Sequence, residues 1–490
     1  MSKPKHAAEK KPLQFFRLPW QVFLIITAVV MVATYLGVLP KGMAGCFVFM
    51  IVVGEILAWI GDHTPIIKDF LGGGAIVVIF GSALLVYFGI IPAATGVDEA
   101  GKTVYNMNLP FGNLDLVGNI GTFFKTTGGF LDWYIAALIT GSILGMNRKL
   151  LVKAAARYFP AIFGGLLLAF SACMGVAKLM GYPVMNALLL IALPIMGGGM
   201  GAGASPLSKI FDASGTMTAQ EALSVMTPAV AIGNAVSIVL AGILVKIMVG
   251  RLNGKGQLMR AGSIDPKELE ISPEMQAKRN NITLPNLGIG LLVSGAFFAV
   301  GYILQGCWNA LGTGITIHAY AWMIITVAVC KITDIVPESI EVACYQWFQF
   351  IMKNLTNVLL LGIGVCYLEI GTVIKSFSLT YLLLCAATCV GAFVGAAIIG
   401  RIVGFYPFEA GITAGLCMSN MGGTGDVAVL SAANRMELMP FAQISSRLGG
   451  AIILLIASLM LSILSQYLVT ANPEVVEQAL EAAKTVLAGV

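Results

Sequence analysis

Two glycine-rich stretches stand in opposite halves of an otherwise apolar chain: PIMGGGMGAGASPLS, from Pro194 to Ser208, and SNMGGTGDVAVLS, from Ser419 to Ser431. Both carry Gly-Gly-x-Gly and both end in Leu-Ser. Glycine loses more backbone entropy on ordering than any other residue, so such strings resist continuous helix. Backbone that is not helical survives at membrane depth only where protein or a water-filled cavity surrounds it. One such stretch could be a close helix contact. Two, in matching positions of two halves, are the pattern of a solute site at a repeat interface.

The membrane setting follows from composition. Hydrophobic residues make up 58% of the 490 and charged residues only 11%, against about 25% charged in a soluble domain. The chain therefore reads as an all-α integral membrane protein. Apolar runs near the roughly 20 residues that span a bilayer recur, among them WQVFLIITAVVMVATYLGVL from Trp20 and AIILLIASLMLSIL from Ala451. The run at Trp20 is full length and lacks a small-residue cleavage site, so it reads as a span, not a leader. The nine cysteines are scattered, mostly within apolar runs, with no CxxC pair or Cys/His cluster to suggest a metal centre. The net charge of +5 is assigned to cytoplasmic loops. No basic stripe with interleaved aromatics points to nucleic acid.

Charge bias orders the spans. The basic tail 1–19, with Lys3, Lys5, Lys10, Lys11 and Arg17, is expected in the cytoplasm. Spans at about 20–39, 42–60, 70–91, 130–146 and 158–179 then put the polar loop 92–129 outside and Arg148, Lys149, Lys153 and Arg157 inside. The linker 250–283 carries Arg251, Lys255, Arg260, Lys267, Lys278 and Arg279 and belongs inside. It gets there only if 186–208 enters from outside and returns, so the first glycine stretch is expected to be re-entrant. Spans at about 284–304, 313–332, 350–368 and 378–400 follow. Segment 407–432 is expected to re-enter from the cytoplasm, and a last span at about 446–468 ends outside. The expectation is about eleven transmembrane helices in two inverted-topology repeats, 20–249 and 284–468, each with a re-entrant glycine-rich loop. The N-terminus is inside, the C-terminus is outside, and residues 469–490 form an extramembrane amphipathic tail.

Several residues could carry chemistry. Gly198, Gly199, Gly201 and Gly203, with Gly422, Gly423 and Gly425, would expose backbone N–H and C=O groups to a solute, or alternatively pack helices closely. Arg447 precedes an unbroken apolar run. Its planar fork suits a carboxylate through two parallel hydrogen bonds, and the alternative is an interfacial anchor. Asp426 could meet a cation, but capping the helix that starts near Val427 is the favoured role. Asn420 and Thr424 offer side-chain oxygens, and Cys417 and Met418 offer carbonyls. Glu55 is an intramembrane acid, either functional or hydrogen-bonded to a neighbouring helix. His318 reads as interfacial packing and not as a proton relay. There is no GxxxxGK[ST] phosphate loop and no assembled catalytic pair, so an enzyme is not expected and gradient energy is. An ion channel would also use non-helical backbone, but no pore-lining ring supports that class.

At LPIMGGGMGAGASPLS, AGLCMSNMGGTGD, LSAANRMELMPFAQISSRLGG, ITGSILGMNRKLL and IHAYAWM the chain resembles the 2-hydroxycarboxylate transporter family, bacterial secondary carriers of citrate and malate. The likeness runs from the first span to the last. It implies a bacterial inner-membrane symporter, a homodimer in the lipid bilayer, with a transport domain moving against a dimerising scaffold. It implies a substrate site at Met200, Gly201, Met421, Thr424, Ser446 and Arg447. It implies sodium sites at Ile195 and Gly197 in one half and at Cys417, Met418, Asn420 and Ser446 in the other. Two departures matter. The family's citrate carriers have asparagine at the position of Met200 and arginine at that of Met421. Loss of a guanidinium removes a charge-assisted partner worth about 1.5–3 kcal/mol, which favours a dicarboxylate such as malate over citrate. A proton symporter or a precursor/product exchanger is the alternative within the family.

Overall fold

The computed structural model describes residues 14–464 apart from 66, 69–72, 98–101, 126–128, 147, 149–154, 249, 260–271, 313–316, 369 and 377. The expected C-terminal tail and most of the basic N-terminal tail lie outside the described residues. The described chain is overwhelmingly helical. Among the described residues seven helices are long and apolar enough to cross a membrane, and Trp20–Leu36, Gly74–Tyr87, Phe130–Leu144, Val184–Ile195 and Ala319–Thr333 are shorter apolar helices.

The helices pack as two clusters. The first holds Met43–His63, Gly74–Tyr87, Phe130–Leu144, Leu284–Ala310, Ala319–Thr333 and Glu338–Tyr367. The second is built on Ala155–Leu179 and Leu379–Ile402, and it carries Ala219–Ile247, both glycine segments and the last helix. Small residues set the spacing in each. In the first cluster Gly141 and Gly145 lie one turn apart on Phe130–Leu144 and its C-cap. A Cβ on Gly141 would sit 2.2 Å from Phe348 Cβ, and one on Gly145 would sit 2.4 Å from the Tyr345 ring. In the second, a Cβ on Gly395 would lie 2.0 Å from the Gly164 carbonyl and one on Gly391 2.4 Å from that of Leu168. Close approach of this kind is how membrane helices gain contact area without a hydrophobic driving force between them.

Three expectations are corrected by the structure. The stretch 92–129 is not a plain polar loop. It folds into an antiparallel hairpin, Ala94–Val97 with Thr103–Tyr105, and a helix, Leu116–Phe124. Asp115 caps that helix, accepting from Gly118 N at 2.9 Å, and ties it to the hairpin by accepting from Ala94 N at 3.1 Å. The helix expected to begin near 350 begins at Glu338, because the polar turns before it carry charges that find partners: Lys278 with Glu338 at 2.6 Å and Lys331 with Glu341 at 2.6 Å. The last helix runs 439–464, so Arg447 stands in its interior and not at its start.

Candidate functional site

Each glycine segment is a helix, a turn and a second helix. The first runs Val184–Ile195, turns at Gly197–Gly199, and continues 200–213, five residues further than the sequence pattern had suggested. The second runs 407–416, turns, and continues Gly423–Ala432. The turns need glycine: Gly198, Gly199 and Gly422 have φ of 76°, 103° and 72°, which side-chain-bearing residues rarely adopt. Four helix stretches beside the turns are π-wound: Ala187–Ala192, Met200–Ala204, Gly411–Leu416 and Ser445–Gly449. Bonds from Ala204 N to Gly199 O at 3.0 Å and from Cys417 N to Ile412 O at 2.8 Å show the wider winding. Such turns recur at functional sites because the extra residue leaves backbone groups out of the regular ladder.

The two turns meet. A Cβ on Gly199 would lie 2.7 Å from the Met421 carbonyl, and one on Gly422 3.1 Å from the Gly198 carbonyl. The last helix closes the junction: a Cβ on Gly198 would be 2.3 Å from the Ser446 carbonyl, and one on Gly450 2.7 Å from the Gly197 carbonyl. The expected sodium-site residues gather here. Ile195, Cys417, Met418 and Asn420 are fully buried and Ser446 nearly so. Asp426, also fully buried, does not cap its helix. Its two oxygens accept from Asn420 Nδ2 at 3.0 Å and Ser446 Oγ at 2.9 Å, while Asn420 Oδ1 accepts from Gly422 N at 2.7 Å. Its hydrogen-bond donors are neutral, so among the described residues the charge of this buried carboxylate is met only by the more distant Arg447 guanidinium. Among the described residues no group of three His, Cys, Asp or Glu could hold a metal. A site for a hard cation here would instead use oxygens of Asn420, Ser446, Asp426 and the backbone.

Beside this junction lies a cavity of about 680 Å³ between the clusters. The second cluster contributes Gly198, Met200, Gly201, Met421, Ser446 and Arg447 to its wall, and the first contributes Glu55, Tyr134, Phe348, Met352, Thr356 and Asn357. Five of the six expected substrate residues therefore converge on one cavity. The sixth, Thr424, starts the helix after the turn, and its side chain lies outside the described residues. Arg447 stacks over the Phe348 ring, 5.6 Å from its centre. The fit depends on Gly141 and Gly145, which let the helix bearing Phe348 lie close to Phe130–Leu144. Among the described residues no carboxylate pairs with Arg447, so its fork remains free for an anion.

Sequence reasoning missed part of the frame. Asn234, a lone amide inside an apolar span, accepts from Met421 N at 3.1 Å and fixes the second turn. That polar intrusion was a readable signal. Tyr134 and Phe348 gave none. Of the undecided residues, Glu55 accepts from Asn357 Nδ2 at 2.7 Å, a bond to a neighbouring helix that also faces the cavity. His318 caps Ala319–Thr333, its Nδ1 accepting from Tyr320 N at 3.3 Å.

Fold and site together define a many-helix membrane protein with an internal cavity that Arg447 lines. The chain belongs to the 2-hydroxycarboxylate transporter family, whose model matches residues 15–459. It is 34% identical over 465 residues to the citrate/sodium symporter of Salmonella typhimurium, covering 94% of this chain and 97% of that one. It is 35% identical over 446 residues to the malate transporter MleP of Lactococcus lactis subsp. lactis, covering 91% and 96%. It is 32% identical over 443 residues to the citrate transporter CitP of Leuconostoc mesenteroides subsp. mesenteroides, covering 90% and 91%.

Proposed function

We propose that this chain is a sodium symporter of 2-hydroxycarboxylates with a preference for malate, working by elevator-like alternating access. The observation that carries the reading is the unpaired Arg447 beside two touching glycine turns, with the buried Asn420–Asp426–Ser446 network next to it. Substrate binds at Met200, Gly201, Met421, Thr424, Ser446 and Arg447. One carboxylate takes the Arg447 fork, and backbone N–H groups of the turns receive the hydroxyl-bearing end. Sodium binds where the carbonyls of Ile195, Gly197, Cys417 and Met418 approach Asn420, Ser446 and Asp426. It adds to the compensation that Arg447 gives the Asp426 carboxylate, and because substrate engages that same guanidinium, each ligand has a reason to favour the other's binding.

Topology follows the same reading: about eleven spans, inverted repeats at 20–249 and 284–468, re-entrant glycine segments, and a 250–283 linker in the cytoplasm. The first cluster is the scaffold of a homodimer, and the second is the moving part. The protein resides in a bacterial inner membrane, N-terminus in and C-terminus out. The citrate/sodium symporters and the malate transporter MleP are similarly close in sequence, so Met200 and Met421 decide the preference in favour of malate. Uptake of labelled malate and citrate into proteoliposomes, under sodium and proton gradients imposed separately, tests the reading. Malate uptake driven by the proton gradient alone, or by neither except in exchange for a second internal carboxylate, would replace sodium symport with the alternative mechanisms.

A further inference from the structure

Glu55 is the cavity-lining acid that the proposed function leaves unused. It sits within the apolar helix Met43–His63 on the scaffold side of the cavity that Arg447 enters from the other cluster. Of its two oxygens one accepts from Asn357 Nδ2 at 2.7 Å, and the other has no protein partner among the described residues. The nearby Asp62 differs: it stands at the exposed end of the helix, bound to Gly74 N at 2.7 Å. Gly54 lets the acid sit where it does, since a Cβ there would already press Asn357 Cβ at 3.2 Å. A carboxylate in the cavity of an anion carrier raises the energy of every anion that enters. It raises that energy more for each further negative charge on the cargo.

Phe348 marks the level of Arg447, and Asn357 marks the level of Glu55 on the same helix. Nine residues separate them, 348 to 357, which at the helical rise is roughly 13 Å. An anion at Arg447 is thus set off from the Glu55 carboxylate by roughly 13 Å along this helix, and charges facing one cavity are screened less over such a distance than charges in open water.

We propose that Glu55 sets a charge ceiling on the cargo, disfavouring a third carboxylate and so sharpening the choice of dicarboxylates over tricarboxylates. The inference rests on the functional reading above. At an effective dielectric constant near 20, one extra negative charge at this separation weakens binding by a factor of about eight. Exclusion here works by repulsion, a device distinct from the missing guanidinium at Met421.

The test compares citrate-to-malate uptake ratios in proteoliposomes under a sodium gradient for wild type, Glu55→Gln and Glu55→Asp. Glu55→Gln keeps the acceptor for Asn357 and removes the charge, and the ratio rises about fivefold or more. Glu55→Asp keeps the wild-type ratio. An unchanged ratio in inserted Glu55→Gln overturns the proposal while leaving malate symport intact. If Glu55→Gln fails to insert, wild type decides by competition against labelled malate. Citrate monomethyl ester, a dianion on the same skeleton, must then inhibit several-fold better than citrate. An ester no better than citrate means that size and not charge excludes the tricarboxylate. Absence of any carboxylate uptake by wild type would overturn the functional reading, and this inference with it.

Discussion

Lys209, on the descending helix of the first glycine segment, lies 3.8 Å from Asp132 in the first turn of Phe130–Leu144. Among the described residues this ion pair alone joins the two helix clusters. Asp132 Oδ1 also accepts from Tyr320 Oη at 2.6 Å, so the acid is fixed on the first cluster whether or not the lysine is present. Both side chains are mostly buried, and any motion of one cluster against the other must part them. Lys209→Met is expected to shift the balance between inward- and outward-facing forms by about fivefold, near 1 kcal/mol, with little change in melting temperature. Accessibility of single cysteines from each face of the membrane reads the shift. A Lys209→Asp/Asp132→Lys double mutant that does not return towards wild type would deny the pair this role.

Arg447→Lys keeps the charge and loses the bidentate fork. Malate transport should fall by at least tenfold, chiefly through a raised KM, in protein that still inserts and elutes normally. Near-normal affinity would reduce Arg447 to a packing partner of Phe348.

The glycines of the first segment should differ sharply from one another. Gly198→Ala places a methyl 2.3 Å from the Ser446 carbonyl at a φ of 76°, so transport and folding are both lost. Gly201→Ala presses most closely on Leu359 Cδ2 at 3.3 Å and Leu138 Cδ1 at 3.6 Å, ends of flexible side chains, with Tyr134 Cε1 in ordinary contact at 3.9 Å. It should fold, cost under about 1 kcal/mol in stability, and act on substrate affinity because Gly201 lines the cavity. Thermal unfolding beside uptake separates the two outcomes.

Met421→Arg, alone or with Met200→Asn, is expected to raise the citrate-to-malate ratio. The main chain of Met421 is held by Asn234 and its side chain lines the cavity, so a guanidinium there could reach an additional carboxylate. Total turnover is expected to fall, since an arginine must also be satisfied when the site is empty. A fixed ratio in a well-expressed double mutant would move the search for selectivity elsewhere on the cavity wall.

Ser446→Ala removes one of the two donors to Asp426. If that network holds the coupling ion, the sodium concentration for half-maximal uptake should rise about tenfold, while added malate shifts it back in part through reciprocal coupling. Uptake measured across sodium concentrations at two malate levels checks both parts.

The glycine segments were legible as breaks between helices because strings of glycine resist continuous helix. What stayed hidden depends on contact between distant parts of the chain. MPFAQISSR reads as the end of a loop, yet it forms the first turns of the last helix because the junction of glycine turns receives its polar face. That displacement carries Arg447 from an apparent membrane boundary into the cavity. Asp426 reads as a cap by its position near a helix start, but Ser446, twenty residues on, and Asn420 claim both oxygens. Phe348 becomes part of the site only through Gly141 and Gly145, two hundred residues away in sequence.

Ala155–Leu179 and Leu379–Ile402 touch peptide to peptide at Gly164, Gly391 and Gly395, and this gives the second cluster a mechanical character. Backbone meets backbone at these points, with the Ile399 and Leu168 side chains packed beside them, which leaves the two helices little room to slide past one another. If the second cluster is the moving part, as proposed above, its whole lipid-facing rim would shift with it, and the annulus of acyl chains around it would have to stretch or thin in step. Membrane thickness would then enter the energy difference between the two ends of that stroke. On that reading lipid chain length would be a setting of the carrier in its own right, one that no residue of the cavity controls.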